Sequence, residues 1–299
     1  MKKRYALIVL MTMCGVALFA QTAADFGLHI MGAGNGVGIA SYNGPGGNVV
    51  IPGTIGRERV DFVGEYAFEG CDSLTSVTIP EGVTYIGDGA FEGCDNLEAI
   101  NVSPANRQYK DVDGVLFTKD GKTLVAYPGG GKSVYTIPEG VTYIGDGVFQ
   151  GCGNLKTISV SPANLEYKDI DGVLFTKDGK TLVAYPGGGK SVYTIPEGVT
   201  AIGRRAFSPC ANLTSVAIPR SVTAIGNSAF YWCKSLTSVA IPEGVTAIGD
   251  FAFASCDRLT SVAVPRSVTA VGNSAFSRCD SLKPEIRADI QKRFGNTAF

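Results

Sequence analysis

Few residues in this 299-residue chain have the types and spacing to do chemistry, and the sharpest candidate comes twice. Ala126 to Ser133 reads AYPGGGKS, and Ala184 to Ser191 repeats it. With alanine for the first glycine, it meets a relaxed phosphate-loop pattern. Such a loop binds nucleotides because its amides lie at a helix N-terminus and its lysine reaches the β- and γ-phosphates. Here SVYTIP follows, an alternating run closed by proline, which predicts a strand where that chemistry needs a helix. No acidic strand end for Mg²⁺ accompanies it, so a flexible turn is the better reading. The cysteines suggest zinc, but zinc sites use close pairs such as CxxC with supporting histidines. Those following Cys14 lie at least 23 residues apart.

One histidine, His29, leaves no Ser–His–Asp triad to assemble and removes most acid–base and metal chemistry. It has a surface or capping role. Acidic residues such as Glu81, Asp88, Asp95 and Glu139 recur as a solvated face, and no D/N-rich stretch matches a calcium loop. The balance of 26 Lys and Arg against 27 Asp and Glu gives a net charge of −1, without the basic footprint that nucleic acid requires. A hydrophobic content of 45% supplies ample core. These features describe a scaffold: no catalysis, no cofactor, no metal and no nucleic-acid partner are expected.

The elements that position everything else are repeats. Cys71, Cys94, Cys152, Cys210, Cys233, Cys256 and Cys279 are separated by 23, 58, 58, 23, 23 and 23 residues, and 58 is one 23-residue unit plus one of 35. The short unit is clear in Leu236 to Leu259, LTSVAIPEGVTAIGDFAFASCDRL. Its signature IGxxAFxxC appears seven times, starting at Val63, Ile86, Ile144, Ile202, Ile225, Ile248 and Val271, with Val for Ile at both ends and VF before Cys152. Strand endings at Ile51, Ile79, Val102, Ile137, Val160, Ile195, Ile218, Ile241 and Val264 give nine rungs.

Within a rung, Leu236, Val239 and Ile241 face inward while Ser238 and Ala240 face outward, and Pro242 ends the strand. Phe253, Cys256 and Leu259 recur every three residues, which suits one turn of 3₁₀ or α-helix against the core. Such a unit cannot cover its own apolar face, so neighbours must stack around one continuous core. Adjacent rungs bring cysteines within disulfide reach, but stacked side chains point in parallel, and Cys152 lies two rungs from both Cys94 and Cys210. The cysteines are therefore read as small buried hydrophobes.

Asn106 to Lys132, repeated at Asn164 to Lys190, distinguishes two long units. Val115–Phe117 and Leu124–Tyr127 flank Asp120-Gly121, a strong hairpin signal matched by Asp178-Gly179 in the copy. Each hairpin is expected to protrude from the solenoid, with Lys119 and Lys122, or Lys177 and Lys180, near its tip. Val37–Tyr42 and Val49–Ile51 look like paired strands forming a front cap. Pro284 to Phe294 reads as a capping helix, with proline in the first turn, Gly295 after the last, and Ile286, Ile290 and Phe294 on one stripe.

Lys2, Lys3 and Arg4 precede an apolar run from Ala6 to Ala20, a pattern of secretory leader too short for a membrane span, with cleavage after Ala20 or Ala24. Lipidation at Cys14 is an alternative. The predicted organisation is a signal peptide at 1–24, an N-terminal cap at 25–46, a solenoid at 47–283 with long repeats at about 97–137 and 155–195, and a C-terminal capping helix at 284–299.

The 23-residue unit, with IP closing the strand and IGxxAFxxC on the return, resembles the BspA-like leucine-rich repeat from about Gly47 to Leu282. The resemblance implies an α/β, right-handed leucine-rich-repeat solenoid with one parallel strand per rung. It also implies display on a bacterial or protozoan cell surface and adhesion to host extracellular matrix or other cells. No family-wide catalytic residue comes with it. The expected partners are proteins, including host matrix or cell-surface proteins. A periplasmic or envelope scaffold acting by self-association is the alternative.

Two contact regions compete. The outward strand face comprises Ser76, Thr78, Asn101, Thr157, Ser159, Ser215, Ser238 and Ser261, interleaved with Ala99, Ala217, Ala240 and Ala263. The hairpins offer Lys119, Lys122, Tyr127, Lys177, Lys180 and Tyr185, with Tyr109 and Tyr167 beside them; packing of the inserted unit is the other use for these tyrosines. Trp232 is assigned to local packing.

Overall fold

The computed structural model describes residues 21–30 and 36–299. Residues 1–20, most of the expected leader and Cys14, lie outside the described residues. In the short repeat the alternating pattern folds as its chemistry dictates: Leu236, Val239 and Ile241 are buried while Ser238 and Ala240 are exposed. Ser238–Ala240 pairs in parallel with Ser215–Ala217 on one side and Ser261–Ala263 on the other. Nine such strands, from Gly47–Val50 to Ser261–Ala263, form a first ladder.

A second ladder runs beside it, built from pairs of residues such as Ala201–Ile202, Ala224–Ile225, Ala247–Ile248 and Ala270–Val271, all parallel. The rungs thus add a short second strand to the one read from the sequence. Threonine side chains reinforce both ladders. Thr223 and Thr246 each donate a hydroxyl hydrogen bond to the threonine carbonyl one rung earlier, at 3.2 Å. Thr237 does the same to Thr214 in the first ladder.

The return from the second ladder is a tight turn where a helical turn was expected. Phe251 and Ser255 have φ of 55° and 58°, and left-handed residues at two points interrupt any helical run. The inward residues are nevertheless those read from the sequence, and Phe253, Cys256 and Leu259 are fully buried. Where a short repeat follows, the phenylalanine amide donates to the alanine carbonyl of the next rung: Phe68 to Ala90 and Phe207 to Ala229 at 2.8 Å, Phe230 to Ala252 and Phe253 to Ala275 at 2.7 Å. The rings follow the same spacing: Phe207, Phe230, Phe253 and Phe276 stack with centroids 4.8, 5.0 and 5.4 Å apart. Strand spacing of ~4.8 Å sets that distance, so backbone ladder and aromatic column enforce one register.

The long repeats change the architecture. Tyr109–Val112, Val115–Thr118 and Thr123–Ala126 form an antiparallel meander, and its last strand pairs in parallel with Tyr143–Ile144, as a second-ladder rung does. Tyr167–Ile170, Val173–Thr176 and Thr181–Ala184 repeat the arrangement. The hairpin at Asp120-Gly121 is present, and a second turn at Asp113-Gly114, with φ of 52° and 77°, joins the first two strands.

The meanders are not protrusions. Leu116 belongs to the core cluster before the insert, Val115 and Phe117 to the cluster after it. In the copy, Leu174 faces backward and Val173 and Phe175 face forward. An uninterrupted apolar run such as VLF is what a strand buried on both faces requires. The inserted sheets are bulkheads, and they divide the expected single core into three successive compartments.

The front cap also differs from expectation. Val37–Tyr42 pairs antiparallel with Phe26–Ile30 and parallel with Glu58–Val63, in the second ladder, whereas Gly47–Val50 pairs with Leu74–Ile79 in the first. The Asn43–Gly47 segment carries the chain between ladders, with Gly46 and Gly47 at φ of 85° and 71°, so it turns a corner and closes no hairpin. The Gln21 side-chain amide seals the free edge of Gly47–Val50, donating to Asn48 O at 2.7 Å and accepting from Val50 N at 2.9 Å. At the back, the helix spans Pro284–Phe294 and buries Ile290. Arg293 donates to the last-rung carbonyls of Val264 and Pro265, both at 2.7 Å. A short 3₁₀ turn, Asn296–Ala298, then supplies the carbonyl that accepts from Phe276 N at 2.8 Å.

Candidate binding surface

The first ladder places its outward residues where the two-residue period put them. Asn101 and Ser238 are exposed, and Ser76, Thr78, Thr157, Ser159, Ser215 and Ser261 are half-buried by their neighbours in the row. Ser215, Ser238 and Ser261 stand in register, with Ala217, Ala240 and Ala263 forming the adjacent row. The face is not continuous, because it is cut into sheets of three, two and four strands. At the first break Ile100 N donates to Gly114 O at 2.8 Å, and at the second Ile158 N donates to Gly172 O at 2.8 Å. The turn of each bulkhead thus occupies the edge where the next rung would pair. A Cβ on Gly114 would come within 2.9 Å of the Ala99 side chain, so glycine is needed for that close approach.

Each bulkhead is pinned by a buried asparagine that the sequence reading passed over. Asn106 Nδ2 donates to the carbonyls of Pro80 at 2.8 Å and Val83 at 2.9 Å, while its Oδ1 accepts from the amides of Gln108 and Tyr109, both at 2.8 Å. Asn164 does the same with Pro138, Val141, Glu166 and Tyr167. Asp111 and Asp169 add a bond each, accepting from Val102 N at 2.9 Å and Val160 N at 2.8 Å.

The hairpin tyrosines are corrected by this packing. Tyr127 and Tyr185 are each 5% exposed, and they stand where the phenylalanine of a short repeat would, against Phe149 and Phe207. Their hydroxyls donate to Lys132 O at 2.8 Å and Lys190 O at 2.7 Å. Burial raises both phenols to about 12. They are core residues and not hairpin-tip contacts. Lys119, Lys122, Lys177 and Lys180 remain exposed, although Lys119, Lys177 and Lys180 bend back to the carbonyls of Pro104, Asn164 and Gly198.

The GGGK segments are turns followed by strands, Val134–Ile137 and Val192–Thr194, so no helix N-terminus is there to hold a phosphate. Their glycines serve contact: a Cβ on Gly129 would meet Cys94 O at 2.6 Å. His29 lies exposed in the front strand, its ring edge-on to Phe62 at 6.2 Å. Trp232 is 43% exposed under the Lys234 ammonium, 3.8 Å from its ring centre, which is more open than a packing role requires.

The cysteines tie each turn to the one before it through side-chain bonds. Cys94, Cys233, Cys256 and Cys279 donate S–H bonds to the carbonyls of Phe68, Phe207, Phe230 and Phe253 at 3.0 to 3.2 Å. Burial pushes the Cys94, Cys233 and Cys279 thiols up to about 12.

One feature of the surface was not foreseen. The FEGC and FQGC turns of successive signature copies stay close across the bulkhead rung between them, whose Pro-Gly turn carries no bulk. A Cβ on Gly151 would lie 2.7 Å from Gly93 N, two rungs away. Beside this contact each bulkhead leaves a crevice with the same floor: Val125, Ala126 and Tyr127 in the first, Val183, Ala184 and Tyr185 in the second. The second holds only 60 Å³ and is lined by Arg204 and Arg205. Arg204 pairs with Asp146 at 2.5 Å. Arg205 donates to Gln150 Oε1 at 2.6 Å and to Tyr66 Oη at 2.7 Å, and lies 3.6 Å from Glu92 Oε2.

The first crevice holds 210 Å³, with Tyr85 and Tyr143 at its mouth, each more than half exposed. Asp88, Glu92 and Asp146 line it, and among the described residues no lysine or arginine does. Burial raises the Glu92 carboxyl, opposed by Arg205, and its Oε2 is buried without a hydrogen-bond partner among the described residues. A signal for the filled crevice was present in the sequence: among the seven signature copies, IGRRAF alone carries basic residues between its glycine and alanine.

Among the described residues, no helix is long and apolar enough to cross a membrane. No curated protein matches the chain. Solved structures do: a leucine-rich repeat protein from Eubacterium ventriosum is 27% identical, covers 83% of this chain and 72% of its own, and superposes with a TM-score of 0.54. A leucine rich cell surface protein from Faecalibacterium prausnitzii is 25% identical over 95% of this chain and 99% of its own, with a TM-score of 0.44. The BspA type leucine rich repeat region matches in six copies at residues 49–118, 132–177 and 190–299. By that match and by the repeated rung that produces it, the chain belongs to the BspA type leucine-rich repeat family.

Proposed function

We propose that this protein is exported and acts by binding proteins, as an adhesin for host extracellular matrix or cell surfaces. The observation that carries the reading is the strand face, on which Ser215, Ser238 and Ser261 repeat in register with no charged side chain in their strands. Small side chains let a partner backbone approach closely and lose little freedom on contact. The face lacks the aromatic and arginine anchors of tight interfaces, so affinity per copy is modest and many copies on a surface multiply it. Membership of a protein-binding repeat family supports the class of partner, and the basic and apolar residues of the first 20 positions support export.

The test is a binding panel of purified matrix proteins against the chain from Gln21 onward. Saturable binding that falls at least tenfold in Ser238→Arg, with the fold unchanged by circular dichroism, is the expected result. An empty panel, or binding indifferent to Ser238→Arg and to a second charge at Ser215, would refute the assignment. Substitutions are used because deleting Asn106–Lys132 would remove Leu116 and Phe117 from the core.

A further inference from the structure

The two crevices are copies of one structure, and one of them contains its own occupant. In the second, the bank before the bulkhead supplies Asp146 and Gln150, and the bank after it supplies Arg204 and Arg205, whose guanidinium groups engage those residues. In the first, the corresponding residues before the bulkhead are Asp88 and Glu92, and those after it are Asp146 and Gly147. The acidic bank is kept, and strengthened where Glu92 replaces Gln150, while the two arginines are missing. The first crevice is also the roomier, 210 against 60 Å³, and extends to the mouth between Tyr85 and Tyr143.

The surroundings suit a cation from outside. Asp146 already has Arg204 as partner, but Asp88 has no ion pair among the described residues. Among the described residues Glu92 Oε2 is buried and accepts no hydrogen bond, although Arg205 stands 3.6 Å away. Tyr85 and Tyr143 present aromatic rings at the mouth, 53% and 54% exposed. A guanidinium stacks on such rings and donates a fork of hydrogen bonds to carboxylates, which a compact ammonium cannot do.

We infer that the first crevice is a receptor for an arginine side chain on the surface of a protein partner, seated as Arg204 and Arg205 seat themselves in the second. The inference rests on the protein-binding reading above and specifies the chemistry of the partner. It adds to the strand face a second contact, on the turn side of the first bulkhead.

The full chain is titrated with the capped tripeptide Gly-Arg-Gly and with its citrulline analogue, which keeps the shape and loses the charge, by saturation-transfer NMR. The expected result is saturable binding of the arginine peptide and at least about tenfold weaker binding of the citrulline peptide, the loss of one charge-assisted contact. Asp88→Asn weakens the arginine peptide by a similar factor. Gly147→Arg supplies the missing occupant and abolishes binding; Arg205, with φ of 56°, shows that the equivalent backbone accepts arginine, and the Gln150 side chain must turn aside from the new Cβ.

Equal binding of the two peptides, no binding, or binding untouched by both variants would overturn the inference. Matrix proteins bound while the arginine peptide is not would also overturn it and leave the general protein-binding reading standing. Selective arginine binding with an empty matrix panel would support the crevice and defeat adhesion.

Discussion

Replacing Asn106 by alanine tests whether the long repeats are locked into the wall. The side chain is 1% exposed and makes four bonds of 2.8 to 2.9 Å, two donated to the carbonyls of Pro80 and Val83 and two accepted from the amides of Gln108 and Tyr109. Alanine leaves all four backbone groups without that partner. Pro80 O keeps a long bond from Val83 N at 3.4 Å, and the Gln108 amide, on an exposed residue, can turn to water. Two groups then bear a full burial penalty of about 1–3 kcal/mol each, and the lost bonds of the other two add about 1 kcal/mol.

The expected destabilisation of Asn106→Ala is therefore about 3–7 kcal/mol, a large share of a typical folding free energy of roughly 5–15 kcal/mol. Urea unfolding should be followed both by far-ultraviolet circular dichroism and by the fluorescence of Trp232, the single tryptophan, because repeat arrays can unfold in sections. Asn164→Ala should behave alike. Asn106→Asp should be no better at neutral pH, since a carboxylate would face two carbonyl oxygens. It should recover as pH falls, because protonation restores one donor. A loss below about 1 kcal/mol for both alanine variants would refute the claim that these residues anchor the inserts.

Two further outcomes follow from the packing. In the native protein the buried thiols should resist alkylation at pH 8 and react on unfolding, with half-buried Cys71 reacting first; a mass shift of several modifications without denaturant would contradict their burial. Cys94, Cys233 and Cys279 have folded values of about 12 against an ordinary value of 9.0, so the stability they contribute is present below pH 9 and lost as pH climbs toward 12, visible as a falling melting temperature. Arg293→Ala frees the carbonyls of Val264 and Pro265, and a loss of about 2 kcal/mol in thermal unfolding is expected, with Arg293→Lys restoring only part of it.

Much of this architecture can be read locally. Cysteine spacing and the isoleucine-proline strand endings locate nine first-ladder strands, and Pro284 and Gly295 bracket the capping helix at its observed limits. What escaped was set by contacts far apart in sequence. A two-residue strand such as Ala247–Ile248 is too short to show a period, and exists because its neighbours pair with it. The front strand Val37–Tyr42 looked like a hairpin partner of the next apolar run, yet its register partner is Phe26–Ile30. The bulkheads had a visible signal: Val115–Phe117 is continuously apolar, as a strand covered on both sides must be, and Asp113-Gly114 is as strong a turn signal as Asp120-Gly121. For the surface, alternation was enough to find Ser238, but the crevices arise from stacking one unlike rung between two like ones, which no single repeat encodes.

The most direct test of the bulkhead architecture is amide hydrogen exchange of the native chain at Val115–Phe117 and Val173–Phe175. Strands buried between two core compartments should exchange as slowly as the ordinary rung Ser215–Ala217. Exchange in seconds at both inserts, with that rung still protected, would mean that they stand outside the wall as loose hairpins and that the account is wrong.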